Sequence, residues 1–381
     1  MKNSVSIFIA DYSIWNSPSL INLLNLLNTK FDLNVFISNT ANENIKYLRD
    51  NKLNYYLIEC IPFRLSFHYF YYQTRTFINF IKLKCSNINN LFCICVDVKG
   101  YCQYLIYSDK SSLYYYSLEL QLEDDADPDN ILSQLKKYFT LEKENYIKPK
   151  GVLIQSESRK KVFYEQYKLD EIPYMLLPVT YAEKSVYTKK NYIREKYNID
   201  EHKKIILYAG GIHPYYKVLD IIKSLKDNAD LILFFQGYSE SEYVTSIIKY
   251  IKEEKINNVI FSKDRFENIE DVSIIYQSSD IGLAWYDYDS LNFRTAALSS
   301  GKVSGYFKYG LPVIVNDLCG GKEAVENINC GISVKSYDEI LNAVELIMKN
   351  YAEYSSNARL KFDDHYNFNH YEDKLLSFFE K

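Results

Sequence analysis

Short runs of β-branched and aromatic residues recur along the chain, separated by segments whose apolar positions return every three or four residues. In the first half the runs are SVSIFIA (4–10), LNVFIS (33–38), YYLIEC (55–60), LFCICV (91–96), LYYYSL (113–118), GVLIQS (151–156) and MLLPV (175–179). Ser17, Pro18 and Ser19 ahead of LINLLNLLN read as a helix start. A second series follows: KIILYAGG (204–211), LILFFQG (231–237), NVIFSK (258–263), DIGLAWY (280–286), LPVIVND (311–317) and GISVK (331–335). Runs this free of polar alternation suit strands buried on both faces, and strands alternating with helical patterns suit parallel sheets.

Between the two series lies YAEKSVYTKKNYIREKYNIDEHKK, polar and charged as an interdomain connection would be. A chain of 381 residues also exceeds what one hydrophobic core usually serves. The pattern predicts a domain over 1–183, a second over 184–360, and a C-terminal helix over 361–381 packing back on the first. The expected fold class is α/β, with two Rossmann-like, doubly wound parallel sheets facing a cleft.

Composition narrows the function classes. With 47% apolar and 25% charged residues the chain is globular, and a net charge of −4 gives no global attraction to nucleic acid. No apolar run reaches the ~18 residues of a membrane span, and Asp11 interrupts the first run, so a cytoplasmic location is expected. The seven cysteines are odd in number, and Cys93 and Cys95 alternate within a strand-like run, as buried thiols of a reducing compartment do. Neither Cys-x-x-Cys nor clustered His is present, so no metal site is expected. Residues 61–90 hold four bases, no acids and eight aromatics, which suits either a core helix with a basic edge or peripheral contact with an anionic membrane. The six acids of 119–129 suit a solvated loop.

Glycine is scarce, 12 in all, and ten of these lie from Gly210 to Gly331. In an open α/β sheet, ligands bind beyond the carboxyl ends of the strands, where loops meet helix N-termini. Three such places stand out. Gly210 and Gly211, followed by His213 and Lys217, end the run KIILYA. Ser300, Gly301 and Lys302 open a helical segment, where a hydroxyl cap, free N–H groups and a compact cation suit a diphosphate. Gly320, Gly321, Lys322 and Glu323 follow VIVND. Each also has a plain structural reading, as a turn or a capped helix.

The order and spacing of these places resemble the nucleotide-sugar domain of GT-B glycosyltransferases, in particular the retaining enzymes that build bacterial surface polysaccharides. The phrases KYGLPVIV and GGKEAVE, within SSGKVSGYFKYGLPVIVNDLCGGKEAVE, are its most specific parts. The first half resembles the acceptor domain more loosely, through YYYSLEL and VLIQSESRKKVF.

The resemblance implies roles. Gly210 and Gly211 would face the donor diphosphate, with Lys217 neutralising it and Arg265 near the phosphates or the base; His213 is a further candidate because it adjoins the two glycines. Ser300, Gly301 and Lys302 would present helix N–H groups and a cation to the departing diphosphate, and Tyr288, Asn292 and Arg294 would lie in the loop covering the donor sugar. One departure stands out: where similar enzymes keep two glutamates seven residues apart, this sequence has Ala297 and Gly305. The ribose contact they would make is missing or moved, with Glu323 a candidate replacement.

The implied reaction is glycosyl transfer from a nucleotide-sugar donor to a glycan or lipid-linked acceptor, without cofactor or metal. Negative charge grows on the leaving phosphate, so fixed donors there stabilise the transition state selectively. Asp97 and Glu119, each ending a run of the first domain, would orient or deprotonate the acceptor hydroxyl, with Lys302 on the donor side. A capping role is the plain alternative for Asp97 and Glu119. Two further readings compete: an inactive protein of this fold that binds carbohydrate or a partner, and a nucleotide-sugar epimerase.

Overall fold

In this computed structural model the described residues are 2–15, 17–38, 42–58, 89–107, 111–123, 125, 131–264, 266 and 269–380. The basic, aromatic segment of 61–90 therefore falls almost wholly outside them, as does Arg265. The chain forms two compact units, 1–182 with 368–381, and 183–367.

Each unit is built on one parallel sheet. In the first, β1 (Ser4–Ala10), β2 (Asp32–Ile37), β3 (Asn54–Leu57), β4 (Asn90–Val96), β5 (Ser112–Ser117), β6 (Gly151–Ile154) and β7 (Tyr174–Leu176) lie in the order β3-β2-β1-β4-β5-β6-β7. In the second, β8 (Lys204–Ala209), β9 (Leu231–Gln236), β10 (Val259–Phe261), β11 (Ile281–Ala284), β12 (Val313–Asn316) and β13 (Gly331–Val334) lie in the order β10-β9-β8-β11-β12-β13. Every apolar run in the sequence is a strand, and the unbroken runs are the ones buried on both faces: β6 and β9 have no exposed residue. Two doubly wound parallel sheets of this kind make the GT-B fold class.

The strand order reverses direction between β1 and β4 and again between β8 and β11, and at such a point the following connections part to opposite sides and open a crevice. In the second unit the helix Val218–Leu225 buries Val218, Ile221, Ile222 and Leu225. The helix Ile340–Lys349 buries Ile340, Ala343, Val344 and Ile347 at the same spacing. Both stripes join one cluster with Ile206, Leu233, Leu283 and Ile314 of the sheet, each such side chain contributing about 1.5–3 kcal/mol of burial.

The helix Pro18–Lys30 begins where Ser17 and Pro18 predict, though Ser17 makes no side-chain cap. Ser19 instead donates to the Pro178 carbonyl at 3.1 Å. The C-terminal segment changes unit at 368, not at the expected 361. Asp363 is held in the second unit by the Ser185 N–H at 2.8 Å and the Ser185 hydroxyl at 2.7 Å, while Phe362 and Tyr366 are buried there. From 368 on, Leu375 and Phe379 enter the core of the first unit, where Phe379 stacks on Phe92 and Tyr114 donates to the carbonyls of Phe378 and Phe379.

Among the described residues no helix is long and apolar enough to cross a membrane. Cys93, Cys95, Cys102, Cys319 and Cys330 are buried, and none is in a disulfide with another described residue.

Candidate active site

The crevice of the second unit opens where β8 and β11 part. Their ladder pairs Ile281 with Ile206 and Gly282 with Leu207 and then ends. The Tyr306 phenol takes over: it accepts from the Ala209 N–H at 2.8 Å and donates to the Leu283 carbonyl at 3.0 Å. A buried hydroxyl thus satisfies one backbone group on each strand while its ring keeps them apart. The ring has room because residue 282 is glycine, where a Cβ would stand 2.4 Å from Tyr306 Cγ.

Beyond this plug the chain leaves β8 through Gly210, at φ +116, where the backbone favours glycine. The Gly210 N–H is tied to the Gln236 carbonyl at 2.8 Å. A Cβ on Gly210 would meet Lys302 Cε at 3.4 Å and Nζ at 3.8 Å, so bare backbone faces the lysine. Gly211 faces the His213 ring in the same way, at 3.4 Å from Nε2.

Lys302 comes from the helix Gly301–Lys308, capped by Ser300, whose hydroxyl accepts from the N–H groups of Lys302 at 3.1 Å and Val303 at 3.4 Å. The same hydroxyl meets the Tyr286 phenol. Nζ of Lys302 lies 4.1 Å from the centroid of the Tyr208 ring and 5.4 Å from those of Tyr216 and Tyr286. Among the described residues no carboxylate is paired with it. Lys302 is half-buried, and partial burial pushes its pKa down to about 7. The Tyr208 phenol, also buried, is pushed up.

Tyr286 is fixed from the next strand. Asn316, buried at the end of β12, accepts from the Tyr286 N–H at 2.8 Å and donates to its carbonyl at 2.6 Å. The loop beyond carries the short helix Leu291–Arg294, whose Phe293 ring packs 5.6 Å from Tyr215 and 5.7 Å from Tyr288. His213 stacks on Tyr215 at 5.0 Å. The mouth of the crevice is therefore lined with half-exposed aromatic rings.

The other sequence candidates sit as follows. Lys217 closes the turn after Tyr216 in the left-handed conformation, φ 52, half-buried and without a charged partner among the described residues. Asn292 is half-buried, and Arg294 points outward, paired with Asp289 at 2.9 Å through Nε. The Arg294 carbonyl, rather than its side chain, approaches Gly320, 3.6 Å from where a Cβ would stand. Glu323 is exposed on the first turn of the helix Gly321–Val325, and Gly301 is exposed. Ala297 and Gly305 are both buried, and neither supplies a carboxylate. The structure thus brings Gly210, Gly211, His213, Ser300 and Lys302 to one crevice. It gives no contact that joins Arg294 or Glu323 to them.

In the first unit Asp97 and Glu119 follow β4 and β5 beside the β1/β4 reversal. Asp97, at φ 52 and 4% exposed, turns its carboxylate onto the backbone of the neighbouring loop, accepting from the N–H groups of Leu118 at 2.8 Å and Glu119 at 3.1 Å. Burial, then the nearby Glu119 charge, holds its pKa well above the usual carboxylate range. Glu119 is exposed and accepts from the Tyr12 phenol at 3.1 Å. Asp97 acts as a clamp on that loop, and Glu119 is the open carboxylate of the two.

Tyr208, Tyr286 and Asn316 escaped sequence reasoning because they end or follow apolar runs, and Tyr306 because it sits within a helix; all read as ordinary core. Tyrosines clustered at strand ends beside paired glycines are the signal that could have flagged them.

Comparison with known proteins agrees with this architecture. Residues 233–371 match the family described as the glucosyltransferase 3-like C-terminal domain. No curated protein matches by sequence. Sucrose-phosphate synthase from Thermosynechococcus elongatus superposes with a TM-score of 0.69 at 11% identity, covering 100% of this chain and 98% of that one. HepE from Anabaena, solved with UDP-glucose, gives 0.69 at 14% identity over 98% of this chain and 99% of that one. WaaG, a glycosyltransferase involved in lipopolysaccharide biosynthesis, gives 0.59 at 14% identity over 98% of each chain. The fold is that of the GT-B glycosyltransferases.

Proposed function

We propose that this protein is a glycosyltransferase moving a sugar from a nucleoside-diphosphate donor to a glycan or lipid-linked acceptor, with retention, in bacterial cell-surface polysaccharide synthesis. The observation that carries it is the half-buried Lys302 amine, beside bare Gly210 backbone at the β8/β11 reversal and with no carboxylate paired to it among the described residues. A half-buried amine so placed favours an anion, and the helix N-terminus below it adds a favourable field. HepE, solved with UDP and with UDP-glucose, supports a uridine nucleotide as the first donor to try.

In this reading the diphosphate lies against Gly210 and Gly211, and Lys302 gains most in the transition state, when the leaving phosphate carries its full new charge. Lys217 adds a second cation. The leaving phosphate takes the acceptor's proton, Glu119 orients the acceptor hydroxyl, and Asp97 holds the loop that carries Glu119. Protein groups supply the charge, so turnover is expected to persist in EDTA.

Thermal-shift titration with UDP, GDP and dTDP tests the donor site, since a ligand of the folded state stabilises by RT ln(1 + [L]/Kd). At 100 Kd that is about 2.7 kcal/mol, a shift of several degrees. No shift with any of the three refutes the reading. Lys302→Ala is expected to lower kcat by about 10²-fold or more with little loss of stability, and an unchanged kcat refutes the role given to it.

A second reading rests on the buried Ala297 and Gly305, which leave the ribose without carboxylate contacts: a protein that keeps the nucleotide site but does not turn over. Nucleotide-induced stabilisation without product from a panel of nucleotide sugars would favour it.

A further inference from the structure

At the β1/β4 reversal the two connections part to opposite sides, so residues 11–17, which lead from β1 to the helix Pro18–Lys30, border the crevice of the first unit. Two buried amides fix this connection. Asn44, 2% exposed, donates to the Tyr12 carbonyl at 2.7 Å and accepts from the Ile14 N–H at 2.9 Å, while Gln103, fully buried, accepts from the Ala10 N–H at 2.9 Å. Ile14 is itself buried, and its carbonyl accepts from the Ser17 N–H at 3.0 Å, which closes a tight turn with Trp15 at the tip. The Tyr12 phenol reaches Glu119 Oε1 at 3.1 Å, and Trp15 is left 41% exposed. Single exposed apolar side chains are common; this one differs in being fixed at the rim of a crevice, on the same short connection that holds an open carboxylate.

We propose that the acceptor is a neutral glycan of at least two sugars, one offering its hydroxyl to Glu119, which Tyr12 positions, and the next laying its ring on Trp15; this rests on the acceptor role given to Glu119.

Charge selects the class. Glu119 stands with Asp97 behind it, Lys99 is paired with Asp11 at 2.5 Å, and Arg159 is turned onto the Leu118 carbonyl and Gln155. A phosphate or uronate entering here would meet a carboxylate while the neighbouring cations are engaged elsewhere. Sugar hydroxyls donate to that carboxylate without bringing charge of their own. Reach sets the length. Trp15 is three residues from Tyr12, at most about 10 Å of extended chain and less across a tight turn, which is the span of two linked pyranose rings. The indole supplies a flat apolar face for the C–H side of the second ring and leaves that ring's hydroxyls to water.

Saturation-transfer NMR of the full chain with maltose, cellobiose, lactose and chitobiose, each in the presence of UDP, reads the contact ring by ring. At least one disaccharide is expected to receive saturation on both rings, and glucose 6-phosphate is expected to receive none. Trp15→Ala changes an exposed side chain and leaves Ile14 and both amide anchors in place. It is expected to remove the signal of one ring and to weaken binding by about three- to tenfold. Tyr12→Phe keeps its ring but releases Glu119, and is expected to weaken the signal of the other ring alone. Signals unchanged by Trp15→Ala, or saturation of glucose 6-phosphate stronger than that of every disaccharide, overturn the proposal while leaving the acceptor role of Glu119 standing. Silence of all four disaccharides overturns both, and a blue shift of tryptophan emission with phosphatidylglycerol vesicles would then assign Trp15 to a membrane surface.

Discussion

Glu142 offers the sharpest test of the first unit's electrostatics. It is 2% exposed, accepts one hydrogen bond from the Tyr167 phenol at 2.9 Å, and leaves its Oε1 buried without a partner. Burial pushes its carboxyl up from 4.5 to about 7; the Tyr167 hydrogen bond and Lys143 oppose this, and Glu123 adds to it. A carboxyl with a raised folded pKa binds its proton more tightly when folded. Its stabilising share is thus fully present below pH 4.5 and is lost as pH rises through 7. At about 1.36 kcal/mol per pH unit, the interval amounts to about 3 kcal/mol.

The perturbation is Glu142→Gln, which keeps the shape and an acceptor for Tyr167 but cannot ionise. Its amide carries a constant cost, so the informative quantity is the change in the wild-type-to-variant difference between pH 4.5 and pH 8. About 3 kcal/mol in a unit of this size corresponds to roughly 6–12 °C in Tm, with the variant gaining on the wild type as pH rises. The chain has two tryptophans, Trp15 in the first unit and Trp285 in the second, so fluorescence in a Trp285→Phe background reports the first unit's transition. Parallel melting curves of the two proteins across that pH range would refute the assignment of Glu142 as a neutral buried acid.

Two further outcomes follow from the strand reversal in the second unit. Gly282→Ala places a Cβ 2.4 Å from Tyr306 Cγ and should cost about 2–4 kcal/mol by displacing the ring that bridges Ala209 and Leu283; in urea melts Gly282→Ala with Tyr306→Leu should cost less than the sum of the single changes, and strict additivity would argue against the plug. Asn316→Ala strips both partners from the Tyr286 backbone and should cost about 1–3 kcal/mol together with weakened nucleotide binding; unchanged binding would separate Asn316 from the site.

Much of the fold was legible because its strands are continuous apolar runs, which leave little choice of period. Their order in the sheet was not, since a run such as DIGLAWY does not say whether it pairs with β8 or β10. The site was legible where chemistry has a sequence signature: a paired glycine ending a strand, or Ser-Gly-Lys opening a helix. Tyr208 and Tyr286 had no such signature, because a tyrosine in an apolar run looks like core until its neighbours in space are known. Asp97 shows the limit from the other side. Its place at the end of a strand was readable, but its left-handed backbone, which turns the carboxylate onto the amides of Leu118 and Glu119, depends on tertiary packing.

The return of 368–380 to the first sheet sets an order of events during synthesis. All of 183–367 leaves the ribosome before Leu375 and Phe379 exist to cover Phe92 and Tyr114. At ordinary elongation rates that interval is roughly 10–40 s, long enough for the second unit to close on its own contacts while the first waits with an aromatic patch uncovered. Nascent-chain aggregation and chaperone capture are therefore expected to fall on the first unit, and a truncation that removes the returning helix would make that transient state permanent.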